Sequence, residues 1–367
     1  MPKKNDTLGA AQKQKSDEFY TQYEDIQREI NAYLEYNPDT FRNKTVLLPC
    51  DDPEWSNFTR FFAQNFERLG LKKLISTSYA TAKKKMSIFD FPTNFETGSP
   101  QYNANLSPIR GKIFTLTKAD KRVDINDLKW NYLDEDGDFR SKEVTKLRDE
   151  ADIIATNPPF SLFREFIAWI TEKKKQFVII GNQNAITYKE VFPLLKNNSI
   201  WLGKGFPGNV GFFGSPYEDI AVASEHKEGL IRISGVMWFT NIDLGKRHEP
   251  LPLMTMADNL KFSKHKEILE HGYLKYDNYD AIEVPYTDAI PSDYDGVMGV
   301  PITFLDKYCP EQFEIIGFSL FIAKPIKDCI PEGDTYQQGG NAFYLPDGEK
   351  YHKRLYGRIA IRRKVSE

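Results

Sequence analysis

The chain has little of what usually announces a cofactor, a compartment or a charged partner. Its 367 residues include three cysteines, Cys50, Cys309 and Cys329. They are too few and too scattered for a disulfide framework or a zinc site, which implies a reducing, cytoplasmic setting. The five histidines show no ligand spacing; His265 and His271 stand six apart with no Cys or His beside them, so no metal is expected. No window approaches the roughly 20 apolar residues of a membrane span. Residues 1–14 are polar and lack the apolar core of a signal peptide, so no membrane partner is expected. Charge of one sign is missing as well: 49 basic against 52 acidic residues leave a net charge of −3. A nucleic-acid enzyme with this balance has no global basic field and must gather positive charge on one face.

Aromatic residues, by contrast, are abundant, with 26 Phe and 19 Tyr. Such a surplus suits base stacking, but we read most of it as packing. The first fifteen residues form a polar tail. From Ser16, a plausible N-cap, Phe19, Tyr23, Ile26, Ile30, Tyr33 and Leu34 recur close to helical spacing. Thr45-Val46-Leu47-Leu48 reads as a buried strand ending at Pro49-Cys50-Asp51-Asp52-Pro53. A helical stretch over 54–70, closed by Gly70, and a strand over 73–78 complete a βαβ unit. The unit recurs: a strand over 152–156 ends at Asn157-Pro158-Pro159-Phe160, a helix spans 161–175, and a strand follows over 176–181. Repeated units of this kind predict an α/β fold with a mostly parallel, doubly covered sheet, whose ligands bind beyond the carboxyl ends of the strands. Both polar clusters, around Asp51 and around Asn157, stand at such ends. After about residue 240 the alternation is lost. We expect a catalytic domain over 16–245 and a less regular recognition region over 246–367.

The tetrapeptide at 157–160 carries the most specific chemistry. Pro158 and Pro159 remove two backbone donors and fix φ, so the loop is stiff and its carbonyls are free to accept. An exocyclic amine on an aromatic ring is a poor nucleophile because its lone pair is delocalised. The Asn157 side-chain oxygen and the Pro158 carbonyl could bind its two hydrogens and favour a pyramidal nitrogen. Phe160 would offer a stacking surface to a base taken out of a duplex, worth about 1–3 kcal/mol. The competing reading is a tight turn with a buried Phe.

A strand followed by Asn157-Pro158-Pro159-Phe160 resembles the amino-methyltransferase motif, in the Phe form of adenine-N6 DNA enzymes. The likeness extends to Ser16-Asp17-Glu18-Phe19-Tyr20-Thr21, Cys50-Asp51-Asp52-Pro53, Leu69-Gly70-Leu71-Lys72-Lys73-Leu74-Ile75 and Asp136-Gly137-Asp138-Phe139-Arg140-Ser141. These stand in the order of the EcoRI-type adenine-specific DNA methyltransferases, strongly over 16–185 and weakly beyond 245. The resemblance implies a Rossmann-like class I methyltransferase sheet, S-adenosyl-L-methionine as cofactor and double-stranded DNA as substrate. It also implies a monomer in a restriction-modification or orphan modification role, with a cognate restriction endonuclease as companion, and a palindrome near GAATTC as a target to test.

For the cofactor, the loop after the first strand has no glycine, a departure from the general pattern that suits this subfamily. Asp51 or Asp52 could accept from the α-ammonium group, beside Cys50; helix capping by Asp52 is the alternative. The usual acid for the ribose after the second strand is replaced by Ser76, Thr77, Ser78 and Tyr79. The resemblance gives Asp138 the cofactor's adenine amine, Phe139 its ring, and Phe19 and Tyr20 the methionine end.

Basic residues cluster at Lys83-Lys84-Lys85, at Lys246-Arg247 and near the C-terminus. There, Lys350, Lys353, Arg354, Arg358, Arg362, Arg363 and Lys364 put seven charges into fifteen residues, enough for several phosphates. Lys353, Arg354, Arg358, Arg362 and Arg363 are the candidate DNA contacts, a solvated tail the alternative. Residues 205–214 read as a loop with exposed aromatics that could fill the gap left by a flipped base. An RNA-adenine or protein-glutamine methyltransferase keeps the same chemistry, but Phe160 argues against it. A non-catalytic DNA-binding protein on this scaffold is a different class, and the intact tetrapeptide argues against that.

Overall fold

Short runs of β-branched and aliphatic residues, buried along their whole length, build the centre of the molecule. Thr45–Leu48 and Ile153–Thr156 have no exposed residue, as strands covered on both faces require. The computed structural model describes residues 20–80, 99–118, 128–214 and 230–364. The polar tail over 1–15, Phe19 and the Lys83-Lys84-Lys85 cluster lie outside the described residues.

Two units follow from the contacts along the chain. One comprises Met1–Glu190 with Leu202–Leu244, the other Val191–Trp201 with Gly245–Glu367. The first unit contains β1 (Tyr20–Thr21), β2 (Thr45–Leu48), β3 (Lys73–Ser78), β4 (Lys112–Thr117), β5 (Asn131–Tyr132), β6 (Ile153–Thr156) and β7 (Gln176–Asn182). After β8 (Trp201–Leu202) come β9 (Val210–Gly214), β10 (Leu230–Ser234) and β11 (Val236–Thr240). The large mixed sheet has the order β5-β4-β3-β2-β6-β7-β11-β8. Its central strands β3, β2, β6 and β7 are parallel, while β4 and β11 run antiparallel to their inner neighbours. From β2 the chain moves outward to β3, β4 and β5, then returns to the other side of β2 as β6. The order therefore reverses between β2 and β6, the position at which open α/β sheets bind ligands beyond the carboxyl ends of their strands.

The helices are set by caps and amphipathic faces. Ser56 caps the helix Asn57–Gln64, its side chain accepting from the Phe58 N–H at 3.0 Å. Ser141 does the same for Lys142–Glu150 through Val144. Between β6 and β7 lies the helix Phe163–Thr171, which buries Phe163, Phe166, Ile167, Trp169 and Ile170.

Two local expectations are corrected. The helix expected from Ser16 begins at Tyr23 among the described residues, and Tyr20–Thr21 instead pair with Phe213 and Gly214 of β9. Residues 205–214 are not an exposed aromatic loop. After a short turn they form β9, paired on its other edge with β10. Phe213 is fully buried and Phe206 stacks on Trp238 at 5.6 Å. Alternating burial along β9 turns Phe213 inward and leaves Phe212 half-buried on the other face, so the composition of the stretch misled.

In the second unit, β12 (Ile282–Glu283), β13 (Met298–Pro301), β14 (Phe313–Phe318) and β18 (Arg358–Arg363) form a sheet ordered β12-β13-β18-β14. A second sheet joins β15 (Thr335–Tyr336), β16 (Tyr344–Pro346) and β17 (Tyr351–Arg354), with β17 central. Phe192, from the segment Val191–Trp201, packs 5.3 Å from Phe318. His352 of β17 is clamped between Asp277 at 2.8 Å and Asp334 at 3.2 Å. Burial works against its charge, but the two carboxylates prevail and raise its pKa above the ordinary value. The clamp therefore contributes stability in full below pH ~6.5. That contribution is lost as pH rises through the raised native value. Thermal unfolding of the protein and of His352→Gln on both sides of neutrality should show the variant to be less pH-sensitive; equal slopes would mean that the ring does not titrate.

Candidate active site

Without glycine, the loop after β2 is shaped by hydrogen bonds from its neighbour. The Asp51 N–H donates to the Thr77 carbonyl at 3.0 Å. Ser76 donates through its hydroxyl to the Asp51 carbonyl, and Thr77 to the Pro49 carbonyl at 3.2 Å. Two of the hydroxyls that stand where a ribose acid is expected are thus spent on the loop. Ser78 differs: its hydroxyl is buried at the end of β3 with no hydrogen-bond partner among the described residues.

The two aspartates of the loop have different surroundings. Asp52 accepts from the Glu54 N–H at 2.9 Å and lies 3.2 Å from the Lys112 ammonium. Lys112 also reaches Glu54 at 2.7 Å and sits over the Trp130 ring, 4.8 Å from its centroid. Burial alone would lower the Lys112 pKa, but Asp52 and Glu54 raise it, so the cluster holds its charges in place. Asp51 has no such cation within ion-pair reach among the described residues. Asp51 is 5% exposed, and its carboxylate accepts from Ser56 Oγ at 2.5 Å and Thr156 Oγ1 at 2.6 Å. Burial pushes its pKa up to about 7, although both hydroxyls favour the ionised form; the charge of Asp52 adds to the rise. Cys50, next to it, is half-buried.

Thr156 is the last residue of β6, so Asp51 is bonded to the residue that precedes the tetrapeptide. Asn157 and Phe160 are half-buried and Pro158 is buried. The Pro159 carbonyl accepts from Leu162 N–H at 2.9 Å, closing a single 3₁₀ turn over Phe160–Leu162 that leads into Phe163–Thr171. No hydrogen bond ends on the Pro158 carbonyl among the described residues.

At the end of β3 the backbone is crowded. A Cβ at Gly137, where φ is +78°, would lie 2.1 Å from the Ser78 carbonyl oxygen, and one at Gly111 would lie 2.3 Å from it. Only glycines let these three segments meet. The next residue, Asp138, accepts from Arg140 through its backbone N–H at 2.8 Å and from its guanidinium at 2.9 and 2.7 Å. Arg140 continues to Glu165 at 2.6 Å. Phe139 is buried, its ring 5.0 Å from Phe166 and 5.5 Å from Trp169. Its observed contacts are therefore with the helix Phe163–Thr171.

Of the candidate DNA contacts, Lys353 and Arg362 are exposed, and Arg354 and Arg363 half-buried. Arg362 pairs loosely with Glu314 at 3.2 Å, while Arg354 donates to the Gly340 carbonyl at 3.0 Å. Arg358 is committed elsewhere, its guanidinium held on Glu283 by three contacts of 2.7 to 3.0 Å. Sequence reasoning missed Thr156, Ser56, Lys112 and Arg140. Thr156 adjoins a named motif and Arg140 stands inside one, whereas Lys112 carries no local signal and reaches the loop only because β4 pairs with β3.

The family model described as adenine-specific methyltransferase EcoRI matches residues 7–364. Type II methyltransferase M.EcoRI of Escherichia coli is 43% identical over 320 residues, 86% of this chain and 89% of that protein. Type II methyltransferase M.MpnI of Mycoplasma pneumoniae is 34% identical over 312 residues, 83% of each chain. M.MgeORF184P of Mycoplasma genitalium is 34% identical over 366 residues, covering 96% of this chain and 97% of its own. No solved structure matches the chain. The chain belongs to the EcoRI family of adenine-specific methyltransferases.

Proposed function

We propose that the protein transfers the methyl group of S-adenosylmethionine to N6 of an adenine taken out of duplex DNA. The observation that carries this reading is the bond between Asp51 and Thr156, 2.6 Å long. It joins the end of β2, where a cofactor would be held, to the tetrapeptide, where an amine would be held. The mixed sheet with its reversal between β2 and β6 supports a Rossmann-like class I arrangement.

The residues present fit the cofactor. Asp51 is a buried carboxylate in need of a cation and suits an ammonium group; the buried Ser78 hydroxyl offers a further polar contact at the neighbouring strand end. When bound, the cofactor's sulfonium supplies an electrophilic methyl group. Asn157 Oδ1 and the Pro158 carbonyl accept from the adenine amine and draw its lone pair out of the ring. Phe160 stacks on the base. Neither Asn157 nor the prolines are nucleophiles, so no covalent bond to the enzyme forms. Asp138 and Phe139 belong to the cofactor-adenine side, with Arg140 orienting the acid. By the family resemblance, the methionine end would fall to Tyr20 and Phe19.

The second unit would serve target recognition, with Lys353, Arg354, Arg362 and Arg363 on phosphates. The protein would act as a monomer alongside a cognate endonuclease. Sequencing the DNA of a host that expresses the chain should find N6-methyladenine within one short palindrome, with GAATTC the first to examine. Unmodified adenines would sink the reading. Phe160→Ala should weaken the flipped complex by about 1–3 kcal/mol. A 2-aminopurine placed at the target would then brighten far less, and an unchanged signal would remove Phe160 from the stacking role.

A further inference from the structure

We propose that Thr156 is a positioning residue, tying the buried carboxylate of Asp51 to the tetrapeptide so that filling the cofactor pocket sets the orientation of Asn157. The inference rests on the reading of Asp51 and Asn157 given above. Thr156 is fully buried at the end of β6, and the peptide bond that follows it carries Asn157. Its β-branched side chain is stiff at χ1. With the hydroxyl held at 2.6 Å by Asp51 Oδ2, the strand end has little rotational slack. Asp51 Oδ1 is taken at 2.5 Å by Ser56, the cap of Asn57–Gln64. The carboxylate therefore bridges the helix cap and the strand end.

The link also responds to charge. Burial favours neutral Asp51, whereas an ammonium group beside it would favour the carboxylate. On ionisation the two hydroxyl contacts become charge-assisted, shorter and stronger. The strand end is then gripped when the methyl donor is in place. The ionisable neighbours of Asp51 are Cys50 and Asp52 on its own loop, with Lys112 and Glu54 flanking Asp52. Asp52 opposes a second negative charge, and Lys112 moderates that opposition.

Thr156→Val keeps the shape and removes the donor. S-adenosylmethionine binding is measured by calorimetry from below to above neutral pH, and turnover at saturating cofactor on duplex DNA. Turnover is expected to fall about tenfold or more, the loss of a hydrogen bond to a charged group. The pH at which cofactor affinity is half gained moves upward, because Asp51 has lost a donor that favours its ionised form. Thr156→Ser restores both. If Thr156→Val keeps turnover and midpoint while Asp51→Asn weakens cofactor binding, the positioning role is overturned and the reading of the pocket survives. If Thr156→Val lowers turnover and melting temperature with an unmoved midpoint and no rescue by serine, the residue is merely structural and the proposal fails. Intact cofactor binding in Asp51→Asn would overturn the pocket reading itself, and this inference with it.

Discussion

Asn157→Ala is expected to cut turnover on the order of a thousandfold while leaving cofactor affinity within about twofold. The two halves of this result have separate causes. The Asn157 side chain accepts from the substrate amine, and an acceptor aimed at developing charge acts in the transition state more than in the ground state. Asn157 also lies beyond Thr156, on the tetrapeptide side of the Asp51 bond, and the cofactor's ammonium is assigned to Asp51. Alanine leaves Pro158 and Pro159 in place, so the stiff turn and the 3₁₀ turn over Phe160–Leu162 persist. Single-turnover methylation together with calorimetric binding separates the effects. A loss of cofactor affinity as large as the loss of rate would mean that Asn157 faces the cofactor.

Arg358→Ala should destabilise the second unit by about 3 kcal/mol or more, and should leave the salt dependence of DNA binding almost untouched. Arg358 begins β18, the strand paired with both β13 and β14. Its guanidinium and Glu283 bury one another, with side-chain exposures of 14% and 5%, and the Tyr276 hydroxyl also donates to Glu283. Removing the arginine leaves a buried carboxylate served by one phenol. Denaturant unfolding would register the loss, and Arg358→Met combined with Glu283→Leu should recover much of it, since no charge is then left unpaired. A phosphate contact would behave otherwise: stability would hold, and the slope of log affinity against log salt would fall by about 0.9. That pattern would return Arg358 to the DNA-binding set.

How far the molecule could be read from its residues differs from element to element. The strands Thr45–Leu48 and Ile153–Thr156 were legible because full burial on both faces demands unbroken apolar runs. The tetrapeptide was legible because two successive prolines after such a run have few uses. β9 was not: Gly, Pro and Asn around its aromatics are turn residues, and pairing with β1 and β10 outweighed their local preference. Nor could a linear boundary near 245 show that Val191–Trp201 joins the second unit, since Phe192 finds Phe318 across more than a hundred residues. The five C-terminal cations looked equivalent, yet one faces a buried glutamate and the others do not. Pairings of distant residues decide these cases, and spacing along the chain carries no trace of them.

The crowding at Ser78, Gly111 and Gly137 bears on how enzymes of this kind can be detected and altered. A glycine-rich signature sought directly after the first central strand finds nothing here, because the indispensable glycines stand after β3 and after β5. A search profile anchored on that first turn alone would pass over such chains. In engineering, the loop at 49–53 depends on side-chain hydroxyls that a conservative Ser/Thr exchange would keep. Positions 111 and 137 offer no such latitude: any side chain would have to occupy space that a carbonyl oxygen already holds.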